Sequence, residues 1–129
     1  MTPALFMDKA MRCLKTADWA YQDGDMDGAC NRAYYAMFNA AHATLQALNH
    51  PEAALAKTHS GLISAFGEHA VKTGQLPTEH GRAFAEVSKR RMVADYDGDG
   101  MSGEDAEVAI RKSTAFVEAV TALLQAKNG

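Results

Sequence analysis

Cysteine is scarce in this chain, as are the residues that break helices. The two cysteines, Cys13 and Cys30, form no CxxC spacing and have no His/Cys cluster around them, so neither a zinc site nor a redox motif is encoded. Both fall at apolar helical positions, where a free thiol packs as a small hydrophobe, and structural burial is expected for both. The three prolines, Pro3, Pro51 and Pro77, each stand where a helix can begin. Alternation of β-branched residues is missing, which leaves nothing to build a sheet from. No stretch approaches the roughly 20 apolar residues of a membrane span. The opening residues, Met1 to Lys9, lack a basic flank and a long apolar run, so no signal peptide is expected. A reducing cytoplasm is the expected compartment. Also missing are a Gly-rich phosphate loop, G-x-S-x-G, zinc-ligand spacing and the repeated Glu-x-x-His of diiron bundles. No cofactor and no metal are therefore expected. The formal net charge of −3 exerts no global pull on nucleic acid, and any RNA contact has to use a local patch.

What remains is a helical protein. Its 129 residues suit one domain, with 47% apolar and 22% charged residues in ordinary globular proportion. Folding at this size buries roughly two thirds of the extended surface. Apolar residues recur with helical periodicity, and five helices are expected in an all-α, up-and-down bundle of four or five helices. The first runs from a Thr2 cap and Pro3 to about Gln22, where Asp23-Gly24-Asp25 breaks it. The second spans about Met26 to Leu48. The third begins near Thr58 and stops at Gly74, a left-handed terminator. The fourth follows Pro77, with Thr78 as cap, and continues to about Asp95. The fifth starts at Ser102, whose spacing to Asp105 fits a capping box, and runs to about Ala126.

The second helix carries only Asp27 and Arg32 as charges at neutral pH. A helix so apolar belongs in the middle of a bundle. Arg32, Tyr35, Asn39, His42 and Gln46 nevertheless share one arc of it. On the fourth helix, Arg91 and Asp95 share a face with Phe84, Val87 and Ala94, while Arg82, Glu86, Lys89 and Arg90 face away. On the third, His59 shares a face with Leu62, Ile63, Phe66 and Ala70. Three helices thus direct ionisable groups inward, and buried charge is costly unless paired, so these groups are expected to meet in one polar site. Tyr34, Tyr35, Phe38 and the alanines of the second helix also supply more apolar surface than one small bundle obviously needs, which suggests a dimer face.

Three strings carry the sharpest signal: Asn31-Arg32-Ala33-Tyr34-Tyr35-Ala36-Met37-Phe38, then Thr58-His59-Ser60-Gly61, then Arg91-Met92-Val93-Ala94-Asp95-Tyr96. In this order the chain resembles a prokaryotic branch of the HEPN family, with Asn31 where that branch usually has Ser. The resemblance implies a helical bundle that forms a homodimer, and a partner role beside a small nucleotidyltransferase in a toxin–antitoxin-like pair. It also implies a nucleotide or RNA ligand at a site on the dimer interface, with Arg32, Tyr35, Asn39 and Tyr96 as binding residues. Active relatives are metal-independent endoribonucleases with an Arg followed about one helical turn later by a His. Here no His occurs from Met92 to Gly100. Asp95 and Tyr96 stand in its place, and a carboxylate ionised at pH 7 is a poor general acid. An imidazole from His59 is the substitute, which makes Arg91, Asp95 and His59 the candidate catalytic set.

Each of these residues has a plainer reading. Arg91 and Asp95 also fit an ordinary (i, i+4) ion pair, and His59 a hydrogen-bonded core histidine. Tyr96, beside a Gly/Asp-rich loop, is a candidate for AMP modification by the nucleotidyltransferase, or a packed aromatic with a satisfied hydroxyl. The loop from Asp95 to Gly100 begins like a calcium-binding loop, but its twelfth position is Ala106 where a bidentate Glu is needed. Lys89 and Arg90 read as a solvated face in the last turns of a helix.

Overall fold

The Thr2 hydroxyl accepts from the Leu5 amide at 3.2 Å, and with Pro3 in the first turn this starts α1 (Pro3–Gln22). The computed structural model describes residues 1–54, 58–96 and 100–128. An Asp25 cap, accepting from Gly28 N at 2.9 Å, opens α2 (Met26–Ala47). A short helix absent from the sequence reading, α3 (Pro51–Ala54), begins at a proline. Thr58 accepts from Gly61 N at 2.9 Å and caps α4 (His59–Phe66).

The single helix expected from Thr58 to Gly74 is broken in form. After Phe66 the chain widens into a π-helical turn, Gly67–Val71, closed by Lys72 N donating to Gly67 O at 2.9 Å. Gly74 ends the segment at φ 81°, as its left-handed role requires. Next comes α5 (Thr78–Tyr96), in which Thr78 is already the first helical residue rather than the cap. Ser102 and Asp105 then form the expected capping box. Asp105 N donates to the Ser102 hydroxyl at 3.0 Å and Ser102 N to the Asp105 carboxylate at 3.3 Å. They start α6 (Gly103–Asn128).

The fold is all-α. Packed against α1, α4, α5 and α6, α2 occupies the middle of the bundle that its apolar circumference calls for. Tyr34, Met37 and Leu45 from α2 meet Leu62 and Phe66 from α4, Phe84 and Val87 from α5, and Phe116 and Val117 from α6. The rings of Phe66, Phe84 and Phe116 sit 4.9 to 5.7 Å apart, in edge and tilted contacts. Each such side chain contributes about 1.5–3 kcal/mol of burial free energy. Among the described residues no helix is long and apolar enough to cross a membrane.

Two expectations need correction. Tyr34 and the α2 alanines from Ala29 to Ala43 are buried within their own bundle, which leaves them no surface for a dimer face, while Tyr35 and Phe38 are half-buried. Among the described residues the exposed large apolar side chains on α5 are instead Met92 and Val93, each 50% exposed. Arg90, in turn, does not face away into water. Its guanidinium reaches Asp105 at 2.6 Å and Glu86 at 3.2 Å, and Lys112 binds the other oxygen of Glu86, so the four clamp α5 onto α6. The periodicity of α5 alone cannot show that α6 places a carboxylate over that face.

Candidate functional site

His59 is the first residue of α4, held there by the Thr58 cap. Its ring lies against three aromatics of α2: Phe38 at 5.3 Å, Tyr34 at 5.4 Å and Tyr35 at 6.0 Å. The Tyr34 hydroxyl is 2.5 Å from His59 Nδ1. From α5, the Arg91 guanidinium covers the Tyr34 ring at 4.9 Å, a cation–π contact with a buried aromatic. Arg91 Nη1 donates to Asp95 Oδ2 at 2.9 Å, and Arg91 Nε is buried without a hydrogen-bond partner among the described residues. Helices α2, α4 and α5 therefore meet at one cluster, with Tyr34 as its hub.

Protonation states follow from this packing. Burial, opposed by the nearby Arg91 charge, pushes the Tyr34 phenol up to about 12. Desolvation and the Arg91 charge hold His59 below its ordinary range. Near pH 7 both are neutral, so the Tyr34–His59 contact is a hydrogen bond between two uncharged groups. A donating Tyr34 hydroxyl sets the imidazole proton on Nε2. The cluster offers one fixed cation, one neutral imidazole, and one carboxylate that balances part of the charge.

The structure sorts the candidate residues into two neighbourhoods. His59, Arg91 and Asp95 belong to the cluster, and the Arg91–Asp95 contact is the (i, i+4) pair that spacing allows. Arg32 and Asn39 lie elsewhere, in an open cleft of about 270 Å³ between α1 and α2, which Lys9, Arg12 and Cys13 also line. Asn39 Nδ2 donates to Tyr35 O at 2.8 Å. Tyr35 joins the two neighbourhoods: its ring meets His59 on one side and carries the Arg32 guanidinium at 5.1 Å. Tyr96 closes α5, and its side chain lies outside the described residues, as do positions 97–99 of the loop considered for calcium. Among the described residues no group of three or more His, Cys, Asp or Glu side chains could hold a metal ion. Cys30 is buried and Cys13 half-buried, both free thiols.

Sequence reasoning overlooked Tyr34. Tyr34 counted as apolar bulk, yet a buried tyrosine normally finds a partner for its hydroxyl, and that rule was the available signal.

The family model for the HEPN domain matches residues 4–123. A UPF0332 protein of Gloeobacter violaceus is 38% identical over 92% of this chain and 94% of its own length. A UPF0332 protein of Thermotoga maritima is 31% identical over 91% of this chain and 86% of its own. A Methanocaldococcus jannaschii protein, whose name reads "Putative toxin", is 30% identical over 95% of this chain and 81% of its own.

Proposed function

The chain belongs to the HEPN domain family, and from that membership and its polar cluster we propose that it is the toxin half of a toxin–antitoxin pair. In this reading it acts as a homodimer, binds RNA phosphate at the cluster, and has a small nucleotidyltransferase as its partner. The observation that carries the reading is the Arg91 guanidinium held over the Tyr34 ring while the same tyrosine's hydroxyl bonds His59. An arginine whose fork is only partly used by Asp95 is suited to a phosphate group. The archaeal relative named as a toxin supports the class of activity. Met92 and Val93, exposed beside Arg91, supply the apolar rim through which two copies bring their Arg91 regions together.

Expression of the wild-type chain is expected to arrest growth of a bacterial host, Arg91→Ala to relieve the arrest, and co-expression of a neighbouring nucleotidyltransferase to relieve it as well. Arrest that persists in Arg91→Ala would take the cluster out of the activity. In this reading the partner modifies Tyr96, five residues after Arg91 at the end of α5, and AMP there adds negative charge to that end of the helix and competes for the guanidinium. Intact mass after co-expression reads this directly, with the added mass present in wild type and missing in Tyr96→Phe.

A second reading has its own observation. The Tyr34–His59 bond engages Nδ1 and leaves Nε2 as the nitrogen for a substrate, so the cluster has the parts of a metal-independent endoribonuclease, with Arg91 on the phosphate and His59 moving the proton. RNA cleavage by the purified protein in EDTA, lost in Arg91→Ala and in His59→Ala, separates this enzyme from a binding protein.

A further inference from the structure

The cleft between α1 and α2 has a charge that the rest of the chain does not. The protein carries −3 overall, yet three cations, Lys9, Arg12 and Arg32, converge on this cleft, and no carboxylate lines it. Among the described residues none of the three is in an ion pair. Like charges brought together without counter-charge raise the local potential and favour an anion. The remaining lining is Cys13, Tyr35 and Asn39, and the space of about 270 Å³ is open to solvent. A pocket that encloses a nucleotide base is deeper and more apolar than this. A shallow basic groove beside an aromatic face is the form that tracks a nucleic-acid backbone.

Its position relative to the polar cluster sets what it can do. The Arg32 guanidinium is 5.1 Å from the Tyr35 ring centre and the His59 ring is 6.0 Å from it, so the two groups lie at most 11.1 Å apart. One strand can therefore touch both within a few nucleotides.

We propose that Lys9, Arg12 and Arg32 form a second phosphate subsite, which holds the backbone of a single RNA strand continuing from the Arg91 cluster. This rests on the reading of that cluster as an RNA phosphate site, and it adds the path the strand takes and two residues on α1. Tyr35 stands between the subsites, its ring in a T-shaped contact with His59.

The test is fluorescence anisotropy of a labelled single-stranded oligouridine about twelve nucleotides long, with the full chain, across a salt series. Lys9→Ala/Arg12→Ala is expected to weaken binding at least about tenfold and to flatten the plot of log K against log salt by about 1.4, from about 0.7 per phosphate contact on a single strand. Both side chains are exposed, so the melting temperature stays unchanged. Lys15→Ala, on the same helix but over Trp19, leaves affinity unchanged. AMP at equal phosphate concentration competes poorly. If the double variant binds like wild type while Arg91→Ala loses affinity, the subsite is overturned and the cluster reading stands. Loss in the double variant alone keeps the subsite and overturns the cluster reading. Full competition by AMP would overturn the strand, and absence of binding by wild type would overturn both.

Discussion

The Tyr34 hydroxyl and His59 Nδ1, 2.5 Å apart, join the central helix α2 to the first residue of α4. This bond decides where the imidazole proton resides. With the phenol pushed up to about 12, Tyr34 keeps its proton throughout the neutral range and has it to offer to Nδ1. Nitrogen-15 NMR of the histidine side chains is expected to show His59 as the Nε2–H tautomer. Tyr34→Phe keeps the ring under Arg91 but removes the donor, at a cost of about 1 kcal/mol in urea unfolding and with a change in the His59 resonances. A variant with unchanged stability and an unchanged tautomer would show that the contact holds nothing.

Stability is expected to fall on mild acidification. Both His42, desolvated between Phe6 and Phe38, and His59 are held below their ordinary 6.5 in the folded protein. The unfolded chain then binds more protons than the folded one below that value, so stability is complete above about pH 6.5 and declines as pH drops toward the folded values. Glu86 and Asp105 are shifted below their ordinary 4.5 and 3.8 by Lys112, Ser102 and Arg90, and they add a second loss at lower pH. Thermal melts are expected to be flat between pH 8 and 7 and to decline from 7 to 5, with a shallower decline in His42→Gln. A melting temperature that rises over the same interval would contradict the burial of these rings.

Neighbouring basic residues on α5 are expected to behave differently. Arg90→Ala removes the ion pairs that join Glu86 and Asp105 across α5 and α6, and is expected to cost about 1–2 kcal/mol. Lys89→Ala, at an exposed position without an ion pair among the described residues, is expected to stay within about 0.5 kcal/mol. Urea unfolding of the two variants checks the contrast, and equal costs would remove the clamp from the account.

How much of this was legible beforehand differs from residue to residue. Thr2, Asp23-Gly24-Asp25, Gly74 and the Ser102–Asp105 spacing marked helix ends because capping chemistry is local. The arc of Arg32, Tyr35, Asn39 and His42 was equally visible, and all four are half-buried against neighbours. Division of that arc into a cluster and a separate cleft was not visible, since it depends on which helix covers which turn of α2. Arg90 and Tyr34 were misjudged for the same reason: their partners, Asp105 and His59, lie 15 and 25 positions away. The π-helical turn at Gly67–Val71 leaves the hydrophobic spacing of Leu62, Phe66 and Ala70 intact and so escapes periodicity.

Dimerisation through the Met92 and Val93 face is expected to be separable from folding. Light scattering at tens of micromolar should give twice the chain mass for wild type and the single-chain mass for Met92→Asp/Val93→Asp, with the circular dichroism spectrum unchanged. A wild-type monomer at that concentration would contradict the dimer, and a variant that remains dimeric would move the interface elsewhere.

The claim that Arg91 and His59 receive an RNA phosphate is tested most directly by their own side-chain resonances. With nitrogen-15-labelled protein, titration of a short single-stranded oligouridine is expected to shift Arg91 Nε–H and His59 Nε2 together and saturably, with both shifts lost in Arg91→Ala. Shifts confined to other residues, or none at saturating RNA, would contradict the account.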